Sequence, residues 1–374
     1  MQRIILAFDK FKGSLTSEEV AHAFASGWQR AVPDSDIAII PIADGGDGLL
    51  HSLTTALGAT VQSIVAHDPL GRSIATHYAL SGDRAIIEMA QVSGLELLKA
   101  GERNPMLTSS YGLGEVMLDA LGRGARHIIL GIGGSATNDC GMGMLAALGY
   151  KFYDAAGDVL TPSGEAMCRV ARIDARGADP RLRECDIVVA SDVDNPLSGE
   201  RGAAWVYAKQ KGATPTMIEV LDKGMRSFAE VVGGDHHNVA GAGAAGGLGY
   251  ALMAFLGARL VPGIELVLDI VGFDALLDGC SLVITGEGRI DSQTLMGKAP
   301  AGVLAHAERR GVPVIALGGS VEWSEELENS RFERIYEATP EGMSLAEAMQ
   351  KTTAQQNVCH AAMRIAREWL SLYS

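Results

Sequence analysis

The sequence is short of positive charge, of paired cysteines and of long apolar runs, and each shortage removes a class of function. Lysine and arginine number 31 against 45 aspartates and glutamates, a formal charge of −14. Such a chain repels the phosphate backbone of nucleic acids and the anionic face of a membrane, so neither is expected as a partner. Five cysteines, widely spaced and without a CxxC pair, supply neither a disulfide framework nor a zinc site; reduced, partly buried thiols of a cytoplasmic protein are expected. The histidines lack metal spacing, since HExxH is missing and His236 and His237 are adjacent. No GxSxG occurs, which excludes a hydrolase nucleophile elbow. No GxxxxGK[ST] occurs either, because Gly297-Lys298 is followed by Ala299, and this excludes a Walker-type loop. The apolar run at residues 4–8 meets Asp9 and Lys10 too early to be the core of an export signal. The long uncharged window at 239–258 holds six glycines, which predicts a buried, glycine-broken helix and not a membrane span.

What the chain has in excess is glycine. Its 46 glycines in 374 residues are about 12%, against a usual ~7%, and such a surplus directs attention to backbone that must turn tightly or approach a ligand closely. Hydrophobic residues make up 47%, enough for the chain to fold throughout, and the length predicts two or three domains. Apolar runs such as RIILAF, HIILGIG, CDIVVAS, CSLVITG and VPVIALGG alternate with amphipathic stretches. Continuous apolar strands of this kind belong to parallel sheets covered on both faces, so the fold class expected is α/β. Thr16, Ser17, Glu18 and Glu19 form a helix start, and a long helix is expected near 345–372. Residues 60–90 read differently, as three strand-like segments without an intervening helix, which predicts an antiparallel meander opening a second domain. Since the two ends of the chain share one pattern, an insertion is expected. A Rossmann-like three-layer domain from 1–62 and 264–374 would hold a mixed α/β domain at 63–263, with a ligand cleft between them.

The surplus glycines cluster where strands pass into helices, places at which unpaired N–H groups and the helix dipole favour anions. GIGGSATND (131–139) follows the strand HIIL. Its glycines permit close backbone approach, and Ser135, Thr137 and Asn138 add polar side chains, so a phosphate loop is expected. A GxGxxG at Gly241, Gly243 and Gly246 lacks a preceding strand and reads as a glycine-rich helix start, not a dinucleotide fingerprint. Three strand ends carry close carboxylates: Asp44 and Asp47 in ADGGDG, Asp192 and Asp194 in SDVDNPL, and Glu287 and Asp291 in TGEGRIDSQT. Carboxylates at the carboxyl ends of parallel strands are the pattern needed where a divalent cation and a general base must meet. Lys10, Lys12, Lys209, Lys211 and Lys298 lie beside these motifs as anion-holding candidates.

With these motifs in view, the chain resembles the bacterial type-1 glycerate kinase family over nearly its whole length. The resemblance rests on DKFKGSL, PIADGGDG, GIGGSATND, DVDNPL, KQKGA, GAGAAGGLG and TGEGRIDSQTLMGKAP, in that order. Two departures are conservative: Asp9-Lys10-Phe11 stands where the family often has Asp-Ser-Phe, and Asp47 where Glu is common. The resemblance implies phosphorylation of D-glycerate by ATP with Mg²⁺, mostly to 2-phosphoglycerate, although 3-phosphoglycerate has also been named as the product. It also implies a two-domain α/β fold with one domain inserted in the other.

The roles expected on this basis divide the motifs. The amides of Gly133, Gly134 and Ser135, with Thr137, Asn138 and Lys298, hold ATP phosphates. Asp192, Glu287 and Asp291 hold Mg²⁺, while Lys10, Lys12 and Asp47 bind the acid. Asp192 is the expected base, with Asp194 and Asp44 behind it. Two alternatives use the same residues: a kinase for another small hydroxy acid or sugar acid, and a non-catalytic metabolite-binding protein. The acidic motifs argue against the second, because an anion sensor gains nothing from cation-chelating carboxylates.

Overall fold

The computed structural model describes residues 3–43 and 48–373. Its strands, in chain order, are β1 (Arg3–Phe8), β2 (Asp36–Ile39), β3 (Thr60–His67), β4 (Ser73–Ser81), β5 (Arg84–Glu88), β6 (His127–Gly131), β7 (Lys151–Tyr153), β8 (Arg172–Asp174), β9 (Asp186–Ala190), β10 (Arg259–Val261), β11 (Leu282–Ile290), β12 (Val314–Val321) and β13 (Arg334–Glu337). The chain divides into two compact units, one made of residues 1–44 and 264–374 and the other of residues 45–263. The division falls after residue 44, not after 62, because the helix Leu49–Leu57 packs on β4 and β5 of the second unit.

The first unit is a five-stranded parallel sheet in the order β13-β12-β11-β1-β2. Five of the six β1 residues are buried, as expected of a central strand covered on both faces. One face packs against the helices Ser17–Ala31 and Lys351–Tyr373 through Phe24, Trp28, Ala362 and Ile365. These two helices approach so closely that a Cβ at Gly27 would lie 2.1 Å from the Cys359 carbonyl oxygen. The helix Ala299–Arg309 packs on β11 and β12, with Val303 and Ala307 buried. Three layers and a parallel sheet agree with the expected Rossmann-like architecture. Numbered within this unit the strand order is 2-1-3-4-5, which places a topological switch point between β1 and β11, where α/β sheets bind ligands outside their carboxyl ends. The capping box at Thr16 and Glu19 forms as read from the sequence. The long C-terminal helix is divided, with a short turn at Leu345–Ala348 capped by Ser344 before Lys351–Tyr373 begins.

The second unit holds a six-stranded mixed sheet, β10-β9-β6-β5-β4-β3. β3, β4 and β5 form the antiparallel meander expected at 60–90. β5, β6, β9 and β10 run parallel, so the ends of β5, β6 and β9, at Glu88, Gly131 and Ala190, open on one edge of the sheet. A single core of this unit gathers Ile87, Leu130 and Val189 with Leu113, Phe228 and Tyr250 from its helices. The window 239–258 forms the buried helix Ala244–Leu256, broken at Ala245, Gly246 and Gly247, all with positive φ. No helix among the described residues is long and apolar enough to cross a membrane.

Candidate active site

The loop after β6 is pinned from behind through groups other than its first amides. Leu95 N–H donates to the Gly134 carbonyl at 2.8 Å and Ala136 N–H to the Ser93 carbonyl at 2.8 Å, bonds in which the amides of Gly133, Gly134 and Ser135 take no part. Gly134 turns the chain with φ +68°, a conformation that favours glycine. The fully buried Asp139 carboxylate then anchors the loop: Oδ2 accepts from Ser110 N–H at 2.8 Å, Ser110 Oγ at 2.8 Å and Gly143 N–H at 3.1 Å, and Oδ1 from Gly141 N–H at 3.1 Å. Burial pushes this carboxyl upward in pKa, against the downward pull of its four donors. Asp139 therefore organises the start of the helix Met142–Ala147.

Thr137 and Asn138 are placed differently from the expectation. Both are fully buried and neither lines the cavity in front of the loop. Thr137 Oγ1 and both side-chain amide atoms of Asn138 find no hydrogen-bond partner among the described residues. Thr137 contributes through its backbone, since its carbonyl accepts from Lys211 Nζ at 2.7 Å. Gly246 from the broken helix backs the same carbonyl so tightly that a Cβ there would lie 2.0 Å from the Thr137 oxygen. Lys211, only 2% exposed, loses solvation on burial, which pulls its ammonium down to about 7 despite an opposing contribution from Asp139.

In front of the loop lies a cavity of about 990 Å³, at the upper end of the range usual for small-molecule sites. Gly133, Gly134 and Ser135 form one wall, Asp192 and Val193 another, Glu88 and Gln91 a third, and Lys211 and Ala245 close it. All of these residues belong to the second unit. Asp192 is exposed at the carboxyl end of β9 and accepts Gly263 N–H at 2.8 Å through Oδ1. Asp194 does not line the cavity; its carboxylate pairs with Arg201 at 2.9 Å in solvent. Glu88 and His51 also line the cavity. Glu88 Oε1 accepts Gly48 N–H at 2.9 Å and Leu50 N–H at 3.3 Å, supplying the start of the helix Leu49–Leu57 with a carboxylate that Gly48 cannot provide.

The remaining expected residues gather at the switch point of the first unit. Asp9 follows β1 directly, donates its N–H to the Gly286 carbonyl at 2.9 Å and accepts Lys10 N–H at 2.7 Å. Lys10 is half-buried and Lys12 exposed. Gly288 of β11 abuts this turn, its notional Cβ 3.2 Å from Lys12 N. At the end of β11, Glu287 accepts from Thr294 Oγ1 at 2.7 Å and pairs with Lys298 at 3.3 Å. Burial raises the Glu287 pKa, opposed by these two neighbours. Asp291 accepts Gln293 N–H at 2.9 Å and lies 3.5 Å from Arg289. Lys298 precedes the first turn of the helix Ala299–Arg309. Asp44 and Asp47 lie outside the described residues.

The model of the glycerate kinase family matches residues 4–370 of this chain. The chain belongs to the glycerate kinase family. It is 46% identical over 358 residues to a glycerate kinase of Halalkalibacterium halodurans, covering 94% of each chain. It is also 42% identical over 371 residues to the glycerate 2-kinase of Escherichia coli, covering 97% of each. A crystal structure from Salmonella typhimurium LT2, of a protein assigned as glycerate kinase 2, superposes with a TM-score of 0.89 at 42% identity, covering 99% of this chain and 98% of that one.

Within this glycerate kinase family fold, the wall residues Glu88 and His51 lay outside the set expected from the sequence, while Lys211 was one of several lysines read as anion-holding candidates. Glu88 was legible by the rule already applied, a carboxylate closing an apolar strand. Lys211 was visible as one of two lysines in KQKGA, but nothing there distinguishes the buried one. His51 had no signal, since a single histidine on a helix is ordinary.

Proposed function

We propose that the chain transfers the terminal phosphoryl group of ATP to a hydroxyl of D-glycerate, with the 2-hydroxyl favoured as acceptor and Mg²⁺ bound with the nucleotide. The observation that carries this reading is that one cavity is lined both by the glycine-rich loop, at Gly133, Gly134 and Ser135, and by the exposed Asp192. Phosphoryl transfer asks for positioning, charge compensation and an acceptor for the hydroxyl proton more than for covalent chemistry. The loop amides hold phosphate oxygens. Asp192 accepts the proton of the attacking hydroxyl, with Asp194 and Asp44 the next candidates for that role. Lys10 and Lys12, with Asp47, bind the acid, and Lys298 serves a phosphate.

The donor set fits Mg²⁺ held chiefly by nucleotide and water. Among the described residues no group of three or more His, Cys, Asp or Glu side chains converges as a cation cage. Mg²⁺ usually keeps several waters and takes one or two carboxylates beside phosphate oxygens, a demand that exposed Asp192 beside the loop meets. Glu287 and Asp291 are the other expected ligands, and Glu287 would have to share its oxygens with Thr294 and Lys298. When bound, the cation neutralises charge on the phosphates.

³¹P NMR of the product formed from D-glycerate and MgATP tests activity and position together. A 2-phosphoglycerate resonance is expected. Turnover of lactate, tartronate or gluconate in place of glycerate would reassign the acceptor, and no ADP release from any of them would remove the kinase reading.

A further inference from the structure

Lys211 is an unusual component of an anion site because its ammonium has no ion-pair partner among the described residues. It follows the helix Ala203–Tyr207 in a short turn whose end at Gly212, with φ +95°, lies against the Arg103 carbonyl. Its side chain lies in the cavity wall, and Nζ makes one hydrogen bond, to the Thr137 carbonyl. The charged groups packed around it are few. Asp139 lies behind the same loop but is already committed to four donors, none of them Lys211. The other titratable groups lining the cavity are His51 of the helix Leu49–Leu57, Glu88 at the end of β5, Glu96 in the turn after Gly94, Asp192 after β9 and Tyr207. Tyr207 is occupied with Asn195, and Glu88 with Gly48 and Leu50. A buried amine so placed carries its charge at high cost until a negative group enters the cavity.

We propose that, above neutral pH, Lys211 is largely uncharged while the cavity is empty and takes up a proton from solvent when nucleotide phosphates bind, becoming their counter-ion from behind the loop. This deepens the proposed function and rests on it. The step is a protonation only: the amine lone pair takes H⁺ from buffer, and release of the anion returns it. Lys211 thereby couples nucleotide affinity to pH without touching the phosphoryl acceptor. The depressed basicity that burial imposes, to about 7, agrees with the geometry.

The test is calorimetric titration of the full chain with MgATP at pH 6 and pH 8, in buffers of different ionisation enthalpy and with excess Mg²⁺, which keeps the nucleotide phosphates fully ionised. Linkage predicts uptake of a substantial fraction of one proton per nucleotide at pH 8 and much less at pH 6, where the free amine is already largely charged. In Lys211→Met the pH 8 uptake disappears and affinity falls. In Lys211→Arg, which is charged throughout, the uptake disappears while affinity is better retained. Equal uptake in wild type and the variants, or none in wild type at pH 8, overturns the inference and leaves the kinase reading standing. No binding of MgATP to the wild type overturns both. Should neither variant fold, the wild-type difference between pH 8 and pH 6 decides alone, and a flat profile refutes the proposal.

Discussion

Asp192 and Lys211 line the same cavity, one exposed and the other buried. Asp192 is exposed at the end of β9, so under the proposed role its replacement should alter turnover more than folding. Asp192→Asn is expected to lower kcat by about 10²–10⁴-fold with modest change in KM, measured by coupled ADP release. Because a lost cation ligand would instead raise the Mg²⁺ requirement, the same assay titrated with Mg²⁺ separates the two roles, and wild-type turnover would remove Asp192 from both. Lys211 is the opposite case. An unfolded lysine holds its proton to about pH 10, whereas burial pulls the folded one down to about 7. Between those values the unfolded chain binds more protons, so unfolding free energy rises with pH, by up to about 1.4 kcal/mol per unit. Urea unfolding at pH 7.5, 8.5 and 9.5 should show this slope in the wild type and a flatter one in Lys211→Met; identical slopes would mean that burial does not discharge the lysine.

At the scale of elements, the broken helix Ala244–Leu256 holds the loop in place. Its three consecutive left-handed residues bring Gly246 against the Thr137 carbonyl, and Cys140 N–H donates to the Gly246 carbonyl at 3.1 Å. Gly246→Ala meets both obstacles at once, a positive φ of +69° and a Cβ 2.0 Å from that carbonyl. The expected result is a loss of about 2–4 kcal/mol in stability and weaker nucleotide binding, because the displaced carbonyl no longer receives Lys211. Thermal melting with and without MgATP checks this, and an unaltered melting temperature would show that the kink is dispensable. The glycine spacing that resembled a dinucleotide fingerprint thus has a packing cause. Sequence legibility was good for elements whose residues decide their own fate locally: the Thr16 capping box, the apolar parallel strands and the meander at 60–90. It did not extend to the burial of Thr137 and Asn138, since nothing local reveals how deeply a polar residue after a glycine turn is covered by distant segments.

For the whole molecule, a formal charge of −14 means that two anionic substrates must approach against the overall field and be held by local amides and lysines. Added salt screens that repulsion, so kcat/KM for glycerate should hold steady or rise between 20 and 200 mM ionic strength. A steep fall would show that local basic groups dominate encounter. The sequence by itself determined the α/β class, the insertion of one unit within the other and the loop of surplus glycines, because strand composition, chain order and glycine placement are local properties. It also carried the family, through seven motifs in order. Only the tertiary structure decided which polar side chains meet the cavity. Burial and partnering depend on what distant segments bring: Glu88 from the meander's last strand, Lys211 from a turn more than seventy residues beyond the loop, and Gly246 behind Thr137.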